Sequence, residues 1–304
     1  MTPGVLIVTG ATAAGKTALA LALAERFGAE IVGADSRQIY RGMPIGTAAP
    51  GAADLARVPH HLVGFLDPHE RYSAARFAAD ALAAIGAIHA RGRRAIVAGG
   101  TGFYLRSLTG DVALSAAYDP AVRNRLAHEA RVHPHDVLHA WLAALAPARA
   151  AAIAPNDPYR VARALEIALA ERSGAARDDV PQRDGLQQRG IAFVKVQVTL
   201  PAEELDRRIA ARVDAMLAAG LLDEAERVGS EAVAADAVGY REALAYLDGR
   251  STRAELRAHL IRNTRRYAKR QATWFRGERD LVAVEGAEAF ARAAAAAGAL
   301  PGWA

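Results

Sequence analysis

Apolar positions along this chain fall into two alternating rhythms. Short β-branched runs, read as buried strands, occur at Val5 to Thr9, Ile31 to Ala34 and Ala95 to Ala98. His61 to Phe65 is a weaker strand candidate, and Ile191 to Thr199 is a strand in which Val194, Val196 and Val198 alternate with other residues. Helical stretches lie between them: Thr17 to Phe27, then Ala74 to Ala90, opened by Ser73 and stopped by Gly92. From about 116 to 190 the alternation is interrupted. Helices are expected there at 120–131, 135–145 and 158–172, followed by a polar loop from Ser173 to Gly190. After the last strand, Pro201 opens a helix striped by Leu205, Ile209, Val213 and Met216, and a long helix runs from about Thr252 to Phe275. Strand–helix alternation of this kind predicts an α/β fold, a parallel sheet flanked by helices. The expected organisation is a core of residues 1–115 and 191–304 carrying an all-helical insertion at 116–190.

The first strand-to-helix turn carries the chemistry. Gly10-Ala11-Thr12-Ala13-Ala14-Gly15-Lys16-Thr17 fits the phosphate-loop pattern G-x-x-x-x-G-K-[ST] at every fixed position, in strand–loop–helix context. Glycines let the backbone curl so that several N–H groups point inward, and the helix N-terminus adds its positive end. Lys16 supplies a point charge for an outer phosphate, and the Thr17 hydroxyl is placed to hold Mg²⁺. The loop therefore predicts a bound di- or triphosphate, such as ATP, without choosing among them. Asp35 ends the second strand, where ligands sit in open α/β sheets; a turn-capping aspartate is the plainer alternative. The third strand ends in Gly99-Gly100-Thr101-Gly102, where ATP-hydrolysing relatives of this loop place an acid. The acidic or base role then falls by default to Asp35.

Composition narrows the picture further. The 304 residues suit about two domains, and 52% hydrophobic content is enough for a full core. There is no cysteine, which removes disulfides, thiolate zinc sites and a cysteine nucleophile. No apolar run reaches the roughly 18 residues of a membrane span, and the first residues show no leader pattern, so a cytoplasmic protein without a membrane partner is expected. No dimer seam shows, and a monomer is expected. Net charge is +5, and Arg250 to Arg279 holds ten Arg or Lys against two Glu, with Tyr267, Trp274 and Phe275 among them. That mixture suits nucleic acid with unstacked bases, or equally a basic amphipathic helix packed on the sheet. His60 and His61 read as packing or loop residues, and His133, His135 and His139 as exposed structural ones.

With these residues in hand, the chain resembles the tRNA dimethylallyltransferases, also called isopentenyl-tRNA transferases, over nearly its whole length. The carrying segments are the phosphate loop, Asp35 to Met43, Ile45 to Ala48, Gly99 to Gly102, Asn156 to Arg160 with Arg163 to Glu166, Val238 to Arg241, and Ala268 to Trp274. Ala11, Ala14, Pro44, Ala49 and Asp236 depart from the usual pattern. The resemblance implies transfer of a dimethylallyl group from dimethylallyl diphosphate to the N6 amine of the tRNA adenine just 3′ of the anticodon. It implies Mg²⁺ as cofactor and the anticodon stem-loop of tRNA as partner. Asp35, Thr17, Lys16, Arg212 and Thr101 would be catalytic, and Gly10, Ala11, Thr12, Ala13, Ala14, Gly15, Lys16 and Thr17 would hold the diphosphate. The tRNA would lie on Asp35, Ser36, Arg37, Gln38, Thr101 and Arg123, and on the patch Tyr159, Arg160, Val161, Ala162 and Arg163. It would also touch Asp236, Ala237, Val238, Gly239, Tyr240 and Arg241, and Lys269, Arg270, Gln271, Trp274 and Arg276 of the basic helix. Competing readings are a small-molecule kinase, a transferase acting on free adenine nucleotides, and a nucleotide-gated RNA-binding module. The absent acid after the third strand, the inserted helices and the basic C-terminal region weigh against them.

Overall fold

The computed structural model describes residues 3–113, 119–173 and 184–303. Two compact units emerge, Met1–Asp111 with Asp184–Ala304, and Val112–Arg183.

The first unit begins with β1 (Val5–Gly10), α1 (Lys16–Phe27) and β2 (Ala29–Gly33), followed by α2 (Pro44–Thr47), α3 (Ala52–Arg57), β3 (His60–His61), α4 (Ala74–Ala90), β4 (Arg94–Ala98) and α5 (Gly102–Thr109). In the second unit are α6 (Pro120–Val132), α7 (His135–Leu145), α8 (Pro147–Ala151) and α9 (Pro158–Arg172). The first unit resumes with β5 (Phe193–Thr199), α10 (Ala202–Ala218), α11 (Leu221–Val228), α12 (Tyr240–Leu247), α13 (Arg253–Arg276), β6 (Leu281–Glu285) and α14 (Ala289–Gly298).

The strands form one parallel sheet in the order β3-β2-β4-β1-β5-β6. β1 is central and buried along its whole length, which is why VLIVTG carries apolar residues on both faces rather than alternating. One face packs Leu6, Val8, Ile31 and Val196 against Leu19, Leu23 and the C-terminal Trp303. The other packs Ile7, Val32 and Val97 against Phe77, Ile85, Leu108 and Phe275. Each such apolar side chain taken from water contributes about 1.5–3 kcal/mol. Beyond the sheet, a third cluster joins Ile39, Met43, Leu221, Val228, Tyr240 and Leu256. The second unit has its own small core of Leu126, Leu138, Leu142, Val161 and Leu165.

Several sequence expectations shift. Residues 184–190 belong with the first unit and not with the inserted block, because Leu186 is fully buried and its N–H donates to Leu108 O at 2.8 Å. The expected strand at 61–65 shrinks to His60–His61, since Leu62 and Gly64 both take positive φ and turn the chain away. β6 and α14 went unforeseen; both are short, at Leu281–Glu285 and Ala289–Gly298. His139 is half-buried rather than exposed, its Nε2 lying 2.9 Å from Ile153 O and 3.1 Å from Ala150 O.

Candidate active site

The C-terminal ends of β1, β2 and β4 open into one cavity of about 320 Å³ in the first unit. Its lining includes Thr12, Ala13, Gly15, Lys16 and Thr17 of the phosphate loop, then Asp35, Gln38, Gly99, Arg212 and Gln271. The loop is shaped by the positions its pattern fixes. Gly15 caps α1 in the left-handed region at φ 102°, and a Cβ on Gly10 would lie 2.4 Å from Val198 O. Lys16 Nζ spans the loop and donates to Ala11 O at 2.7 Å. Burial pulls its ammonium down to about 8; the Asp35 carboxylate opposes that shift and Arg212 adds to it. Burial likewise lowers the Arg212 guanidinium, with Asp35 again opposing. Arg212 Nη1 donates to Thr12 Oγ1 at 3.4 Å, so α10 brings a second cation to the loop. Lys16, Arg212 and Asp35 thus form one electrostatic group around the cavity.

Asp35 does both things the sequence left open. Its Oδ1 accepts from the N–H groups of Arg37 (2.9 Å) and Gln38 (3.4 Å), an Asx turn that fixes the carboxyl group, while the residue still lines the cavity. Thr101, at the tip of β4, is joined to the same turn: its Oγ1 accepts from Ser36 N–H at 3.0 Å. Thr101 does not itself line the cavity. Tyr267 is drawn in from α13, its phenol pKa raised by burial and by the charge of Asp35.

Helix α13 packs as an amphipathic helix against the loops of the sheet. Its inner face is Ala268, Gln271 and Phe275, all buried. Gln271 Oε1 accepts from Thr12 N–H at 2.7 Å and its Nε2 donates to Gly100 O at 2.9 Å, riveting the phosphate loop to the Gly99–Gly102 loop. Trp274 packs so closely that a Cβ on Gly102 would lie 2.0 Å from its Nε1, and Arg106 stacks on its ring at 4.8 Å. Lys269, Arg270 and Arg276 point outward and are exposed.

The side chains expected to meet RNA therefore divide. Those of Gln271 and Trp274 are committed to packing. Tyr240 is fully buried, its hydroxyl donating to Glu224 Oε1 at 2.6 Å, and the side chains of Ala237 and Val161 are buried too, so none of these three reaches a surface. Gly239 is buried as well, its N–H held by Glu242 at 2.8 Å. Arg241 and Asp236 are exposed, Asp236 pairing with Arg37 at 2.8 Å, and Val238 is half-buried. Arg123, Ala162 and Arg163 are half-buried in the second unit; Arg163 binds Glu166 at 3.0 Å, Arg160 is exposed, and Tyr159 is 78% exposed.

One anchor was missed. Glu224 is completely buried, and accepts from Ile45 N–H (3.0 Å), Gly46 N–H (2.8 Å) and Tyr240. It holds the short α2, whose end, Thr47 and Ala48, both walls the cavity and accepts from Gln38 Nε2 (3.2 and 3.0 Å). The signal was present: Leu221, Glu224, Ala225 and Val228 occupy one helical stripe, so Glu224 sits where an apolar residue belongs.

For Mg²⁺, Thr17 is exposed at the start of α1, lines the cavity, and its hydroxyl makes no hydrogen bond among the described residues. No group of three or more His, Cys, Asp or Glu able to hold a metal occurs among those residues. The donor set fits an ion held through one hydroxyl, phosphate oxygens and water, as Mg²⁺ prefers.

Parallel strand order, a phosphate loop at the central strand and a cavity at the strand tips define a phosphate-loop α/β protein. Residues 38–278 match the family model described as IPP transferase, and the chain belongs to that family. It is 48% identical over 290 residues to a tRNA dimethylallyltransferase of Alkalilimnicola ehrlichii, covering 93% of this chain and 90% of that protein. Identity to the tRNA dimethylallyltransferase of Halorhodospira halophila is 45% over 291 residues, covering 93% of each chain. Among solved structures, the full-length tRNA isopentenylpyrophosphate transferase of Bacillus halodurans aligns with TM-score 0.66 and 36% identity over 93% of this chain and 89% of its own. A eukaryotic dimethylallyltransferase acting on tRNA aligns with TM-score 0.74 and 27% identity over 92% of this chain and 73% of its own. No helix among the described residues is long and apolar enough to cross a membrane.

Proposed function

We propose that this protein transfers the dimethylallyl group of dimethylallyl diphosphate to the N6 amine of the adenine 3′-adjacent to the anticodon in tRNA. The observation that carries the reading is that the phosphate loop and the Asp35 carboxyl group line one cavity, with Lys16 and Arg212 coupled to both. The backbone N–H groups of residues 13 and 15–17 and the Lys16 ammonium hold the diphosphate; the Thr12 N–H is already spent on Gln271 and that of Ala14 on Ala11 O. As the C1–O bond breaks and the N6–C1 bond forms, negative charge grows on the departing diphosphate. Lys16 and Arg212 stabilise that charge more in the transition state than before it. Mg²⁺, held by Thr17 with the diphosphate, supplies further charge neutralisation when bound.

Adenine N6 is a weak nucleophile because its lone pair is delocalised. Asp35 takes the N6 proton, its carboxyl group aimed by the bonds from Arg37 and Gln38. Thr101, tied to Ser36, steadies the turn that presents Asp35 to the acceptor base. The base must leave the loop stack to reach the cavity, at a cost of a few kcal/mol. The exposed cations Lys269, Arg270 and Arg276, with Arg37, Arg241 and the Tyr159–Arg163 patch, hold the RNA against that cost. The protein acts in the cytoplasm as a monomer.

Incubation with labelled dimethylallyl diphosphate, Mg²⁺ and unmodified tRNA, without ATP, is expected to put label into RNA at N6 of that adenine. Label that enters only free adenine nucleotides, or requires ATP, would overturn the reading.

A further inference from the structure

The cavity does not stop at the phosphate loop and Asp35. Asp35, two residues past the end of β2, lines it together with Gly33 and Ile31, which stand at alternate positions and so share one face of the strand. The lining also holds apolar residues: Ala20 of α1, Val63, and Pro50 from the loop after α2. Val63 closes tightly over the strand, since a Cβ on Gly33 would lie 2.9 Å from its Cγ2. His60, which pairs with Ile31 in the parallel register of β3 and β2, lines the same cavity. From Gly33 to Ile31 the strand advances only ~6.6 Å.

His60 is held in place. Its Nδ1 lies 2.7 Å from Val58 O, so Nδ1 carries the proton and donates, and the ring cannot swing aside without losing that bond. Burial lowers its pKa from the ordinary histidine value, which keeps the ring uncharged at neutral pH and compatible with an apolar ligand. No polar group among Ala20, Ile31, Pro50 and Val63 competes for it.

We infer that His60, with Ile31 and Pro50, forms the floor of a slot that receives the isoprenoid tail, and so limits the donor to a single five-carbon unit. The inference rests on the donor reading above. With the diphosphate on Lys16 and the reacting carbon beside Asp35, the tail runs down the face of β2 toward this floor. A ten-carbon donor then meets the imidazole before its diphosphate reaches the loop. Discrimination against the longer chain is steric, and removing the obstacle relaxes it.

The test compares dimethylallyl and geranyl diphosphate as donors to unmodified tRNA, using the full chain and the variants His60→Ala, His60→Trp and Pro50→Gly. His60→Ala is expected to raise the kcat/KM ratio of geranyl to dimethylallyl at least tenfold over the starting protein. His60→Trp is expected to raise the KM for dimethylallyl diphosphate at least tenfold and to leave the KM for tRNA in place. Pro50→Gly, in a segment outside every helix and strand, should shift the ratio in the same direction as His60→Ala, and it carries the test should His60→Ala not fold. Inhibition by inorganic diphosphate reports the phosphate end by itself. An equal loss there in His60→Ala would mark a collapsed cavity and overturn the assignment. A ratio unchanged in every folded variant, with the starting protein transferring dimethylallyl normally, overturns the floor and leaves the reaction standing. A starting protein that labels no tRNA overturns the reaction itself.

Discussion

Asp35→Asn is the most informative single substitution, because the structure separates the two jobs of that side chain. Oδ1 accepts from the N–H groups of Arg37 and Gln38, and an asparagine Oδ1 does so equally well. The turn, and with it Ser36 and its bond to Thr101, should survive. What disappears is a carboxylate able to take the N6 proton. A positioned general base contributes about 10²–10⁴-fold, which is roughly 3–5 kcal/mol of transition-state stabilisation. The loss should appear in the single-turnover rate at saturating donor, with tRNA affinity within about threefold of the starting protein, since no phosphate contact is removed. Asp35→Ala should lose the same rate and also destabilise the turn, at about 1 kcal/mol for each hydrogen bond removed. The sharp comparison is therefore asparagine against alanine: equal chemistry, unequal stability. A single-turnover rate in Asp35→Asn equal to that of the unaltered protein would show that this carboxylate takes no proton, and that its place is only that of a turn cap.

Three further outcomes are expected. If Lys269, Arg270, Arg276 and Arg241 each meet a phosphate, at a slope of about −0.7 per contact, tRNA affinity should fall about 50-fold over a fourfold rise in salt; filter binding that stays flat refutes those contacts. Lys16, with its ammonium near 8 in the free protein, gives up its charge as pH rises past that value, while a bound diphosphate draws the proton back. The Kd for inorganic diphosphate should consequently rise above about pH 8, by at most tenfold per unit, and calorimetry should find proton uptake on binding there; a pH-independent Kd would place Lys16 outside the anion site. Glu224→Ala should cost about 3 kcal/mol or more in a denaturant titration and also raise the KM for donor, because the Ile45 and Gly46 N–H groups and the Tyr240 hydroxyl are left buried without an acceptor; a loss below about 1 kcal/mol would show that water or a neighbour takes the place of the carboxylate.

The parts of this site written in local rules were readable from the chain. The phosphate loop announces itself because backbone curvature demands glycine at fixed positions, and Asp35 because strand tips are where such sheets bind ligands. The parts that depend on contacts distant in sequence were not. Gln271 lies 259 residues from Thr12, and nothing in a basic helix says that one amide among its charges points inward. Tyr240 and Trp274 look like surfaces for bases when read as aromatic residues beside arginines. In the fold, the first is bonded to a buried carboxylate and the second is wedged against Gly102. His60 read as packing, which holds for its bond to Val58 but misses that the cavity reaches it from the other side.

The amide of Gln271 grips the backbone of two loops from one helical turn. Fraying of the last turns of that helix would release the anion cradle and the glycine loop in one event, so the two have no separate melting points. Heat should extinguish donor capture and acceptor placement together, at the temperature where protection of the α13 amides against hydrogen exchange is lost.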